Sequence, residues 1–324
     1  MPLTTRLTQL LGIEHPILLA PMGNVAGGEL AGAVSAAGGL GLIGGGYGDR
    51  DWLERQFHAA GNRRVGCGFI TWSMARQPDL LDVALDHRPA AMMLSFGDPT
   101  PFAEKIKRTG ALLICQVQTP ADARIAASAG ADVIVAQGTE AGGHGADRAT
   151  LPLIPAVADA LTKAGSQAVL VAAGGIADGR GLAAALCLGA DGVLVGTRFY
   201  AARESLGHPN AVERIVRSTG DETRRTSVFD ILRGYEWPAP FTGRAIVNGL
   251  LEEWHGREAD LMRAGEAERA RYAAAADRGD FDQAVIFAGE GMDLIADAPP
   301  AGEIVARMVQ EAEAALDRGA AFRR

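Results

Sequence analysis

The chain has 324 residues, 48% of them hydrophobic, with a formal net charge of -8. That length and apolar content support a sizeable core, in one large domain or one domain plus an insertion. The acidic balance argues against a general nucleic-acid surface, and the three cysteines, Cys67, Cys115 and Cys187, odd in number and without a CxxC pair, argue against a disulfide framework or a zinc site.

The N-terminal stretch MPLTTRLTQLLGIEHP has one Arg and no long apolar run, so it does not read as a signal peptide. No run of 18 apolar residues is present to span a bilayer. A cytoplasmic protein in a reducing compartment, with no membrane partner, is expected. The apolar content is compatible with a homodimer.

Eight short apolar runs predict strands over residues 17–20, 40–43, 65–70, 91–96, 112–117, 132–137, 168–173 and 192–195. They are almost continuously apolar, as strands buried on both faces of a parallel sheet must be. Helices are predicted between them over 28–37, 51–60, 78–87, 100–109, 120–129, 152–164 and 179–188. Several open on Asp, Thr or Pro and close before Gly, which are cap signals. Two helix-to-strand joints repeat, SAGADVIVAQG and CLGADGVLVGT. In each, a Gly closes the helix and an Asp enters the strand. One βα unit used eight times predicts a closed (β/α)8 TIM barrel, although a doubly wound open sheet shares the local pattern.

After Arg198 the chain becomes charged and helical, with no strand pattern, up to ADAPP. Residues 303–317 then read as one amphipathic helix, the barrel's eighth. The expected organisation is a barrel of residues 1–209 plus 301–324, with a helical insertion at 210–300 after strand eight. Such insertions sit over the C-terminal face, where barrel active sites lie.

Four motifs are candidates for chemistry. GLGLIG, residues 39–44, matches a dinucleotide fingerprint. It lies on a predicted strand rather than in the turn after one, so it reads as a helix end and a small-residue strand. VAAGGIADGRG and LVGTRF place glycine at the ends of the seventh and eighth predicted strands. Backbone N–H groups at two adjacent mouths would suit a phosphate. PILLAPMGNVAGG ends strand one in irregular backbone around Met22, which would bound a flat ligand. Gln116, Gln118 and Gln137, at the ends of strands five and six, are candidate amide contacts to a heterocycle, with hydrogen-bonded structure as the alternative.

The fourth motif is AQGTEAGGHG, residues 136–145. It sets His144 among Gly142, Gly143 and Gly145, where backbone and imidazole can approach a ligand closely. Imidazole is the side chain best suited to moving protons at neutral pH. Glu140, four residues earlier, is expected to orient the ring or tune its basicity. No Walker loop, HExxH or GxSxG motif is present, and no metal site is expected.

Taken in order, these motifs resemble the nitronate monooxygenase family, formerly 2-nitropropane dioxygenases, over most of residues 13–200. Flavin-dependent enoyl-ACP reductases and some NAD(P)H:quinone reductases share the same motifs. The resemblance implies an FMN-dependent barrel with a substrate-covering insertion. It implies FMN ring contacts from Ala20, Pro21 and Met22, and further cofactor contacts from Gln116, Gln137 and Gly142. Gly174 and Gly175, with Gly196 and Thr197, would hold the phosphate, Leu194 and Val195 are further expected cofactor contacts, and His144 matches the family's catalytic base. Two departures stand out: CGFITW at the end of strand three, where many relatives carry Asn, and Gln116 where many carry Lys.

The expected reaction oxidises an alkyl nitronate with O2 to a carbonyl compound and nitrite. A neutral nitroalkane would be accepted after His144 removes its α-proton. An NAD(P)H-dependent flavin reductase is the alternative enzyme, and a flavin-binding sensor the non-enzymatic one. Within the insertion, GYEWPAPF and FAGEGM offer Tyr235, Trp237 and Met292 as candidate substrate-binding residues, with packing of the insertion as the alternative.

Overall fold

A computed structural model describes residues 3–322. Eight parallel strands form the barrel: β1 (Ile17–Leu19), β2 (Leu42–Gly46), β3 (Gly66–Ile70), β4 (Ala91–Ser95), β5 (Leu112–Val117), β6 (Val133–Gln137), β8 (Val169–Ala173) and β9 (Val193–Val195). The short strand β7 (Gly143–Gly145) belongs to a second sheet. The barrel order is β1-β9-β8-β6-β5-β4-β3-β2, and a parallel bridge between Leu18 and Leu40 joins its two ends. Leu40 therefore closes the barrel and the second strand starts later than residue 40.

Alternate residues of each strand feed two cores. Val133, Val135, Val169, Val171 and Leu194 fill the barrel interior, while Ile134, Ala136, Leu170, Ala172, Val193 and Val195 pack outward against the helices. This two-sided burial is why the strands read as unbroken apolar runs. Helix α1 (Arg6–Leu11) plugs the interior with Leu7 and Leu11, both fully buried. Leu7→Ala should cost about 2–5 kcal/mol in a urea titration, the usual loss for emptying a packed leucine site; a loss far smaller would mean the plug is not packed.

The repeated Asp of the two joints has a structural task. Asp132 Oδ2 accepts from the Leu113 N–H at 2.8 Å, and Asp191 Oδ2 from the Leu170 N–H at 3.3 Å. Each carboxylate pins its strand to the preceding one at the entry end.

The barrel helices follow their strands: α2 (Gly28–Ala36), α3 (Arg50–Ala60), α4 (Thr71–Met74), α5 (Asp79–Asp86), α6 (Thr100–Arg108), α7 (Pro120–Ser128), α8 (Thr150–Lys163), α9 (Gly179–Cys187) and α10 (Thr197–Tyr200). Thr119 and Asp178 cap α7 and α9 through their side chains, as their positions in the sequence predict. In GLGLIG, a Cβ on Gly41 would lie 2.0 Å from the Ala31 carbonyl. The motif serves close packing of α2 on the sheet. After the insertion, α16 (Ala301–Ala321) returns and packs against α9 and α2.

The intervening segment holds α11 (Pro209–Arg217), α12 (Val228–Arg233), α13 (Gly249–Trp254), α14 (Glu258–Ala264) and α15 (Glu266–Asp277). It also holds two strands, β10 (Thr223–Thr226) and β11 (Thr242–Ile246), which corrects the expectation of none. They form an antiparallel sheet in the order β10-β11-β7, with Gly243 opposite His144. A Gly-His-Gly strand has no β propensity of its own; it forms because the insertion supplies its partner. No helix among the described residues is long and apolar enough to cross a membrane.

Candidate active site

The loop after β6 folds back as β7 and carries His144 under the insertion. The His144 Nε2 lies 2.9 Å from both carboxylate oxygens of Asp230, on α12. Both side chains are buried, at 8% and 4% exposure. A carboxylate only accepts, so the proton sits on Nε2, and Nδ1 is the nitrogen available to take one. Burial holds the imidazole pKa below its usual 6.5; the Asp230 hydrogen bond and charge oppose this, and Arg233 and Arg225 reinforce it. The ring is therefore neutral at pH 7, the form a general base requires.

Glu140 does not orient His144. Both its carboxylate oxygens accept from the Thr150 N–H, at 3.0 and 2.9 Å, and one accepts from the Thr150 hydroxyl at 2.6 Å. The first turn of α8 has unpaired N–H groups, and a carboxylate nearby in sequence is drawn to them. Asp230, 86 residues further along the chain, takes the role expected of Glu140.

Aromatic rings enclose the base. Trp237 stacks on the His144 ring with centroids 3.4 Å apart and planes 5° apart. Tyr235 stacks on Tyr47 at 3.7 Å and 5°. The Trp237 indole N–H donates to the Tyr47 hydroxyl at 2.9 Å. Trp72 and Phe96 meet Trp237 edge to face at 5.4 and 5.1 Å, and Phe287 lies 5.3 Å from His144. Burial pushes the Tyr47 phenol up to about 12, so it stays protonated. Phe96 takes a left-handed φ of 64° at the end of β4. Such strain in a bulky residue is held only where surrounding structure enforces it, and it is concentrated at functional sites.

Behind the base, the glutamines bond to one another. Gln116 and Gln118 each donate through Nε2 to Gln137 Oε1, at 3.1 and 2.9 Å. Gln137 in turn donates to the His144 carbonyl at 3.1 Å. The network ties the ends of β5 and β6 to the His144 backbone. Arg225 and Arg244 both donate to the Thr139 carbonyl, at 3.0 and 2.8 Å, so the insertion clamps the same loop.

The residues at the strand ends suit a flavin. Gly174 and Gly175 have φ of 109° and 71°, values that only glycine adopts readily. The N–H groups of Gly174, Gly175 and Gly196 donate to no group among the described residues, leaving them for an anion. A Cβ on Gly196 would lie 3.7 Å from both Ala20 Cβ and Met22 Sδ, so the β1 and β9 mouths adjoin. Pro21 presses on Gly68 and Met22 on Gly44 so closely that a Cβ on either glycine would clash, which makes the β1 turn a fixed wall. At the end of β3, the buried Thr71 hydroxyl and Trp72 indole N–H have no hydrogen-bond partner among the described residues. Buried polar groups require one, and a ligand would supply it.

Other expected residues sit differently. Leu194 and Val195 are buried in the two barrel cores, so only their backbone reaches the mouth. Gly142 faces the insertion: a Cβ there would lie 2.6 Å from Gly289 N. The Thr197 hydroxyl accepts from the Gly289 N–H at 3.0 Å. Met292 is 1% exposed, in a cluster with Tyr200, Ile215, Ile246 and Ile295 that Met22 packs against, so it lies between the insertion and the β1 mouth. The sequence reading missed Tyr47, Trp72, Phe96, Asp230, Arg233 and Phe287. Asp230 left one signal, an acid inside the apolar run VFDIL.

The nitronate monooxygenase family profile matches residues 4–62 and 70–311. A nitronate monooxygenase of Neurospora crassa is 32% identical over 354 aligned positions, covering 95% of this chain and 92% of its own. Among solved structures, FabK from Thermotoga maritima has a TM-score of 0.85 at 30% identity, covering 98% of this chain and 99% of its own. A nitroalkane oxidase from Streptomyces ansochromogenes has a TM-score of 0.81 at 28% identity, covering 96% of this chain and 99% of its own.

Proposed function

Because the chain belongs to the nitronate monooxygenase family, a flavin-dependent class of oxidoreductases, we propose that it uses FMN and O2 to oxidise alkyl nitronates to a carbonyl compound and nitrite. Neutral nitroalkanes enter the same reaction once His144 has removed the α-proton. The observation that carries this reading is the buried His144–Asp230 pair, set beneath an aromatic roof at the C-terminal mouth of the barrel.

Ala20, Pro21 and Met22 would hold the ring system of FMN, and Gly174, Gly175, Gly196 and Thr197 its phosphate. Gln116, Gln137 and Gly142, with the backbone of Leu194 and Val195, complete the assignment. When bound, FMN supplies the electron-accepting chemistry. The chain's own residues bind and orient the substrate and exclude water. Asp230 holds the imidazole with Nδ1 free, and Nδ1 takes the α-proton of a neutral substrate. Trp237 and Tyr235 cover the pocket with Tyr47 and Phe96, in a dry setting that strengthens each electrostatic contact. Residues 210–300 act as the substrate cover on a barrel of 1–209 plus 301–324.

The flavin released on denaturation should be FMN. Anaerobic mixing of the purified protein with NADH and with NADPH should leave the flavin absorbance unchanged. Rapid bleaching by either would instead mark a pyridine-nucleotide-dependent reductase.

A further inference from the structure

Arg233 ends α12, one turn beyond Asp230. Its guanidinium carbon lies 4.9 Å from the Tyr235 ring, 5.5 Å from Tyr47 and 5.6 Å from Phe287. Among the described residues it has no hydrogen bond and no ion pair. The other arginines of this region are engaged. Arg225 bonds to Thr139 and Thr242, and Arg244 to Thr139, Thr223 and the Glu290 carboxylate. The carboxylate in the same helix, Asp230, is taken by His144.

Arg233 is thus a cation set beside three aromatic rings, with its planar fork of N–H donors unspent. It belongs to the cluster that holds the base. Phe287 touches both Arg233 and His144, and Tyr47 links Arg233 to Trp237, which lies on His144. Placement near a helix C-terminus accounts for a positive charge. It does not account for three rings and no anion.

We propose that Arg233 is the substrate-binding residue for a planar oxyanion, and that in the nitronate reaction it takes the two oxygens of the ionised nitro group. The planar fork of a guanidinium can hold both oxygens at once. The pocket therefore selects the anion over the neutral nitroalkane. This assignment rests on the proposed function for the identity of the oxyanion. It does not rest on it for the site itself, because a carboxylate offers the same charge and shape.

The test uses the flavin-loaded protein and its Arg233→Gln and Arg233→Lys variants. Binding of benzoate and of benzamide is read from the perturbation of the flavin spectrum and of tryptophan fluorescence. Benzoate should bind the parent protein, and its preference over benzamide should fall about 10–100-fold in Arg233→Gln, the value of a charged hydrogen bond. Arg233→Lys, which keeps the charge but loses the fork, should fall between them. In turnover, the ratio of kcat/KM for ethyl nitronate to that for neutral nitroethane should drop by a similar factor. An unchanged benzoate preference in both folded, flavin-loaded variants overturns the assignment. If ethyl nitronate is not turned over by the parent protein while benzoate binding still depends on Arg233, the proposed reaction fails and the oxyanion site stands.

Discussion

His144→Ala is expected to lower kcat/KM for neutral nitroethane by about 10²–10⁴-fold, the usual contribution of a positioned general base. Turnover of preformed ethyl nitronate should largely survive, because its α-proton is already gone. The two substrates, assayed side by side at equal flavin content, separate the base from the binding pocket. Equal loss on both, with flavin still bound, would sink the base assignment. In the parent protein the imidazole pKa is held below 6.5. Nitroethane turnover should therefore stay level through neutral pH and fall only on the acid side of 6.5.

Asp230→Asn should nearly match that loss on nitroethane, at about 10²-fold or more, while leaving the shape of the site intact. The amide nitrogen can donate to Nε2, which moves the imidazole proton to Nδ1 and removes the acceptor the reaction needs. The carboxylate is also what raises the His144 pKa against burial, so the residual activity should extend to lower pH than in the parent. An acid limb that moves upward would contradict the pairing. The pair also makes stability depend on pH. With the folded pKa depressed, the unfolded chain takes its proton first, near 6.5. The contribution is whole above 6.5 and is lost as pH falls from there toward the folded value.

The barrel was legible because one physical condition repeats along the chain. A strand covered on both faces must be apolar along its length, as in residues 133–136 and Val169–Ala173. The joints between helix and strand then announce themselves with Gly and Asp. The glycine mouths at Gly174–Gly175 and Gly196, and His144 in its loop, were legible for the same local reasons. The partner of His144 was not. Glu140 stands four residues away, and local spacing favours it. The competing demand is that of the α8 N-terminus, whose N–H groups lie on the same loop and claim the carboxylate.

Asp230 and Trp237 reach His144 only because the insertion folds over the barrel mouth. Its hairpin pairs with β7 through Gly243 and His144. That pairing is tertiary, and Gly-His-Gly carries no trace of it. Met292 is buried where the insertion meets the barrel, in a cluster with Tyr200 and Ile246 that Met22 packs against.

The proposed reaction is oxidation of a nitronate by O2 at this site. It is tested most directly by following oxygen uptake and nitrite release together in the purified, FMN-loaded protein after addition of preformed ethyl nitronate, with no pyridine nucleotide present. Oxygen should fall and nitrite rise in step, with acetaldehyde as the carbonyl product. Nitrite release that does not depend on oxygen, or no reaction at all from a fully flavin-loaded protein, would contradict it.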